Sequence, residues 1–169
     1  MGDTVQRLGL VIDPSVAAVV DSGGSAKSGA GGTALSLKVS PEVLSSTFAV
    51  GPEIGVSFSY GGNGSVFGWS AGLKADFDMP RSFDALRLSA GYVGERLMTG
   101  NTTEHGVYSS IAWYFGRRLG YVDRDHGSER FRKSTSTFGA IGLGPYIEYF
   151  PDTKRVVGGL KLGLGFDVL

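Results

Sequence analysis

The stretch Gly159-Leu160-Lys161-Leu162-Gly163-Leu164-Gly165-Phe166-Asp167-Val168 sorts into two sets with a period of two. Leu160, Leu162, Leu164, Phe166 and Val168 form one set; Gly159, Lys161, Gly163, Gly165 and Asp167 form the other. A strand points successive side chains to opposite faces, whereas a helix would scatter both sets around its circumference. The run therefore reads as a strand with one apolar face and one small or polar face.

The same alternation recurs upstream. Phe67, Trp69, Ala71, Leu73, Ala75 and Phe77 oppose Gly68, Ser70, Gly72, Lys74 and Asp76. Ile54, Val56, Phe58 and Tyr60 oppose Glu53, Gly55, Ser57 and Ser59, and Ile141, Leu143, Pro145, Ile147 and Tyr149 oppose Ala140, Gly142, Gly144, Tyr146 and Glu148. With weaker versions included, strands are expected at roughly 6–18, 33–43, 48–60, 66–77, 83–93, 106–116, 136–149 and 155–168. Turn chemistry separates them: Gly61-Gly62-Asn63-Gly64, Asp78-Met79-Pro80-Arg81 and Pro151-Asp152-Thr153. The Gly/Ser stretch from Asp21 to Gly32 reads as a flexible loop.

Composition agrees. A chain of 169 residues makes one domain, taken here as 1–169. Its 28 glycines are roughly twice the usual share of about 7%, without a Gly-X-Y period. No cysteine is present, which excludes disulfides, thiolate catalysis and Cys-based metal sites. The 16 basic and 16 acidic residues cancel, so no overall field points to nucleic acid. No stretch approaches the roughly 20 apolar residues of a membrane helix. The start, MGDTVQRLG, lacks the layout of a signal peptide. If the chain is exported, Met1 stands in place of a removed leader.

The polar faces carry mainly Gly and Ser, with one or two charges per strand. A water-exposed surface is normally about a quarter to a third charged. Small residues instead suit the interior of an eight-stranded barrel, which is just wide enough for side chains. The apolar faces, tipped by aromatics, then meet lipid. The expected fold is an all-β, eight-stranded, antiparallel, up-and-down transmembrane barrel. Its inward ionisable groups are Asp13, Lys38, Glu53, Lys74, Asp76, Arg87, Glu148, Lys161 and Asp167. Charges kept from bulk water must pair, so these nine are expected to form a network that plugs the bore.

The end of the chain resembles a family signal. Lys161, Gly163, Phe166 and Val168 match the polar, glycine, aromatic and hydrophobic positions near the C-terminus of outer-membrane barrels. Leu169 departs from the terminal aromatic common in bacterial barrels. The whole chain resembles, by pattern, small outer-membrane barrels of the OmpA and OmpX type. The resemblance implies a Gram-negative outer-membrane location, with the outer-membrane assembly machinery and membrane lipid as partners and no cofactor; an eight-stranded barrel closes its own edges, so a monomer is expected. It also implies short turns on the periplasmic side, at 44–47 and 78–82, and longer outward loops at 21–32 and 94–105. The segment from Gly116 to Lys133 breaks this rule: by strand count it lies with the short turns, yet it is long.

That segment holds the candidate chemistry. Arg117, Arg118, Arg124, Arg130, Arg132 and Lys133 could grip phosphate, as in lipopolysaccharide, or a partner protein. Mixed with Asp123, Asp125 and Glu129, they also read as an ordinary solvated loop. His126, Ser128 and Glu129 share the His-x-Ser spacing of outer-membrane lipid A deacylases, but the Asn-rich context after the Ser is missing. A hydrolase also needs Ser and His within hydrogen-bond reach of each other. His105, the other histidine, is expected in a solvent-facing loop, and no metal site is expected. Three readings stay open: a non-enzymatic, porin-like outer-membrane barrel; a soluble lipocalin-like barrel with its apolar faces inward around a lipophile; and a lipid A hydrolase.

Overall fold

The computed structural model describes residues 7–23, 29–45, 48–61, 64–79, 84–98, 102–115, 121–123, 130–132 and 140–167. Eight long strands form a closed barrel: β1 (Arg7–Asp21), β2 (Ala30–Leu44), β3 (Phe48–Gly61), β4 (Gly64–Asp78), β5 (Ala85–Leu97), β6 (Thr103–Phe115), β9 (Ala140–Phe150) and β10 (Arg155–Asp167). Each strand pairs antiparallel with its neighbours in the chain, and β1 closes the ring against β10. Two short strands, β7 (Tyr121–Asp123) and β8 (Arg130–Arg132), pair with each other as a separate hairpin. The long 116–139 connection thus holds a hairpin of its own and leaves the barrel count at eight.

The period-two pattern decides which face points where. Leu8, Ile54 and Leu73 are 80%, 61% and 65% exposed on the outside, while Lys74, Asp76 and Glu53 are at most 2% exposed in the lumen. This orientation overturns the lipocalin-like alternative, which needs the apolar faces inside.

Expected strand ends fall short at one rim. β1 continues to Asp21, β2 begins at Ala30, β5 reaches Leu97 and β6 begins at Thr103. The expected outward loops at 21–32 and 94–105 shrink to 22–29 and 98–102. His105, expected in a loop, stands inside β6 and faces outward. Turn-prone Gly and Asp at these ends outweighed the alternation, which in fact continues through them.

Prolines mark the weak places in the ring. The register is continuous between neighbouring barrel strands except at three seams. It lapses between Ile12 and Ser15 toward β10, between Val39 and Val43 toward β3, and between Ser110 and Trp113 toward β9. Pro14, Pro41, Pro52 and Pro145 lie at these seams. A strand in a closed barrel needs N–H groups for two neighbours, and proline lacks its own. Each proline keeps one ladder and interrupts the other. At the β2–β3 seam, the Ser40 hydroxyl donates to the Pro52 carbonyl at 2.7 Å.

Candidate functional site

The lumen holds two groups of charges, separated along the barrel axis. The group nearer the chain termini centres on Arg87. Its Nη1 donates to Asp13 Oδ2 at 2.5 Å, and its Nε and Nη2 form a fork on Asp76 at 2.7 and 3.1 Å. The Tyr114 hydroxyl donates to Asp13, and the Arg87 guanidinium lies 4.1 Å from the Tyr114 ring centre. Lys74 Nζ sits 2.7 Å from Glu42 and 3.7 Å from Asp76. One step along, Lys38 Nζ donates to Glu53 at 2.6 Å and Tyr108 donates to the same carboxylate at 3.0 Å. These contacts tie six strands, β1 to β6, across the bore.

Glycines make room for the plug. Tyr114 lies flat against Gly142, where a Cβ would fall on the ring carbons. A larger residue there would displace the aromatic that orients Asp13.

At the opposite rim Arg155 holds three carboxylates. Its Nε donates to Asp21 at 3.0 Å, its Nη2 to Glu95 at 2.5 Å and its Nη1 to Glu104. The guanidinium also covers the fully buried Phe150, 4.6 Å from the ring centre. Phe150 packs with Val93, Tyr108 and Val157 into a small apolar collar.

Between the two groups lies a cavity of about 110 Å³. Small side chains such as Ala17, Ala34, Ser57 and Ser110 leave this space, and Glu148 and Lys161 line it. The space is large enough to hold several water molecules. Among the described residues, no group of acids and histidines has a metal-binding arrangement. In each carboxylate cluster a lysine or arginine holds the centre.

Of the nine residues expected in the lumen, Asp13, Lys38, Glu53, Lys74, Asp76 and Arg87 join the inner group. Glu148 and Lys161 line the cavity, and Asp167 stands in register with the buried Val11. Sequence reasoning missed Glu42, Asp21, Glu95, Glu104 and Arg155. Asp21, Glu95 and Glu104 continue the parity of an expected strand past its expected end, while Glu42 and Arg155 share the inward parity within theirs: Glu42 follows Lys38 and Ser40, and Arg155 precedes Gly159 and Lys161.

In the basic segment, Arg130 stands opposite Asp123 and Arg132 opposite Tyr121 in the β7–β8 hairpin. Arg117, Arg118, Arg124 and Lys133 lie outside the described residues, as do the hydrolase candidates His126, Ser128 and Glu129. Of the C-terminal signal positions, Lys161 and Gly163 face the lumen and Phe166 faces outward, while Val168 lies outside the described residues.

No protein-family model and no curated protein matches the chain. Among solved structures, the crystal structure of Neisserial surface protein A is similar, with a TM-score of 0.55 over 93% of this chain and 96% of that one. At 14% identity the likeness is one of fold. It agrees with the closed eight-stranded antiparallel ring described above.

Proposed function

We propose that this chain is an integral outer-membrane β-barrel without catalytic activity. Its lumen is closed by ion pairs on the side of the termini, and its loops serve binding or envelope organisation. One observation carries the membrane reading: an apolar outer surface bounded by two aromatic rows. Phe77 and Trp113 flank Leu86 at one end, and Phe67 and Trp69 stand at the other. The rows are ten residues apart. At about 3.3 Å per residue and a tilt of about 40°, that spans roughly 25 Å, the height of the apolar band on membrane barrels. Phe48, Phe115 and Phe166 extend the first row, and Tyr60, Tyr92 and Tyr149 extend the second; all face outward.

Charges in the lumen suit the same placement. They are shielded from lipid by the strands and from bulk water by one another. The rim with both chain ends also carries the 116–139 connection, and the reading assigns that rim to the periplasm. The basic segment then faces away from the outer leaflet, which favours a periplasmic partner over lipopolysaccharide for it.

Refolding from urea tests the reading. A β-rich product obtained only in detergent, with gel mobility shifted by boiling, is the expected result. A monodisperse β-protein in plain buffer would overturn it. Ser128→Ala and His126→Ala are expected to leave lipid A intact in both the variants and the parent; deacylation by the parent, lost in these variants, would reinstate the hydrolase.

A further inference from the structure

The outer surface of the barrel carries almost no charge. Along the eight strands, the outward positions with described side chains are apolar, aromatic, or small and uncharged, with two exceptions. Arg96 on β5 and His105 on β6 are those exceptions, and both are exposed. The register makes them near neighbours. Phe67, Arg96 and Thr103 form one row across β4, β5 and β6; Trp69, Gly94 and His105 form the next; Ala71, Tyr92 and Val107 form the third.

The local packing sets the two side chains next to each other. Gly94 lies between them, and the Trp69 indole lies across it where a Cβ would stand. On the other side, the Tyr92 hydroxyl is hydrogen-bonded to His105 Nδ1, and the two rings stack at 5.9 Å and 27°. With Nδ1 engaged by Tyr92, Nε2 is the ring nitrogen that points away from it, toward a ligand. Arg96 offers a weakly hydrated guanidinium fork that matches a phosphate.

The height of the pair matters as much as its chemistry. Arg96 lies in the outer boundary row, about 25 Å from the row of Phe77, Leu86 and Trp113. Below it the exposed surface is Tyr92, Val107, Ile111 and Leu88. Two donors at the edge of an apolar face fit a molecule that is anionic at one end and hydrocarbon at the other.

We propose that Arg96, His105 and Thr103 bind the phosphate of an acidic lipid in the leaflet at this rim, with its acyl chains lying over Tyr92, Val107 and Ile111. The proposal rests on the membrane reading above. A free phosphate ion gains nothing from the apolar surface below, whereas a lipid uses both parts of the site.

The test is native mass spectrometry of the refolded barrel released from a neutral maltoside detergent, titrated with phosphatidic acid, with diacylglycerol and with inorganic phosphate. Phosphatidic acid is expected to stay bound. The double variant Arg96→Gln/His105→Ala should lose about tenfold in affinity, the scale of one charge-assisted hydrogen bond. Tyr92→Phe should lose less, because only the orientation of His105 is relaxed. Diacylglycerol should bind no better to the parent than to the double variant. Equal phosphatidic acid binding by parent and double variant would overturn the site, as would inorganic phosphate competing at equal concentration. Gel mobility with and without boiling is read on the same samples. A chain that never becomes heat-modifiable in detergent overturns the membrane reading, and the site with it; a heat-modifiable barrel indifferent to the double substitution overturns the site alone.

Discussion

The two halves of the lumen solve the same problem in opposite ways. Both contain buried charges inside a barrel of eight strands. Near the termini the side chains of Arg87, Asp13, Asp76, Lys74 and Glu42 pack with Tyr114, all of them buried. Toward the other rim, alanines and serines leave a cavity lined by Glu148 and Lys161, and further charges gather at the mouth around Arg155. The contrast teaches that side-chain volume, rather than charge, sets whether the bore is filled. Lys74 and Arg87 fill their level with long side chains, Arg87 braced on the Tyr114 ring, and Ser57 and Ser110 cannot.

The largest test of this contrast is Arg87→Met. It leaves Asp13 and Asp76 buried without their cation, and removal of one partner from a buried pair costs about 3–5 kcal/mol. The urea midpoint in detergent should fall accordingly. Adding Asp13→Asn and Asp76→Asn to the same variant should recover most of the loss, since the cost lies in the stranded charges; no recovery would mean that packing of the guanidinium on Tyr114 dominates. Gly142→Ala comes next. A methyl group there meets the Tyr114 ring, and overpacking of this kind costs about 1–3 kcal/mol. Arg155→Gln should cost less, about 1–2 kcal/mol, because water reaches the mouth and screens the three carboxylates left behind. Raising the salt concentration should narrow that deficit and leave the Arg87 deficit almost unchanged. The smallest effect belongs to Ser59→Val. Ser59 lines the cavity, so the added methyl groups have room, and the midpoint should move by less than about 0.5 kcal/mol. A drop as large as that of Gly142→Ala would show that the outer half is packed after all.

Much of this was legible in the sequence because a barrel has one rule, alternation, and breaks it rarely. Leu160 to Phe166 gave the orientation of β10, and Lys74 and Asp76 gave the polarity of the inside. What alternation cannot show is how far a strand continues once glycine and acid begin to dominate. Glu95, Glu104 and Asp21 sit in stretches that read as turns, yet the ladder partners Gly68, Glu95 and Ala30 hold them in strands. The Arg155 clamp was invisible for that reason. Nor can a one-dimensional pattern show that Arg96 and His105, nine positions apart, become neighbours once β5 folds back on β6. The prolines misled least: all four alternate correctly with apolar neighbours, and only the three-dimensional ring shows which ladder each one interrupts.

The closing seam has a kinetic meaning. Val11 pairs with Asp167, so the last ladder to form joins residues from the two ends of the chain. Contacts that distant in sequence form slowly, because the chain between them must first be ordered. Until they form, the sheet has two bare edges, and bare edges recruit other strands. Pro14 lies on one of those edges and removes a donor from it at the level where Leu164 will arrive. The lapse that weakens the finished ring therefore also makes the unfinished sheet a poorer template for a neighbour's strand, and it does so during the interval in which the chain is most exposed to misassembly.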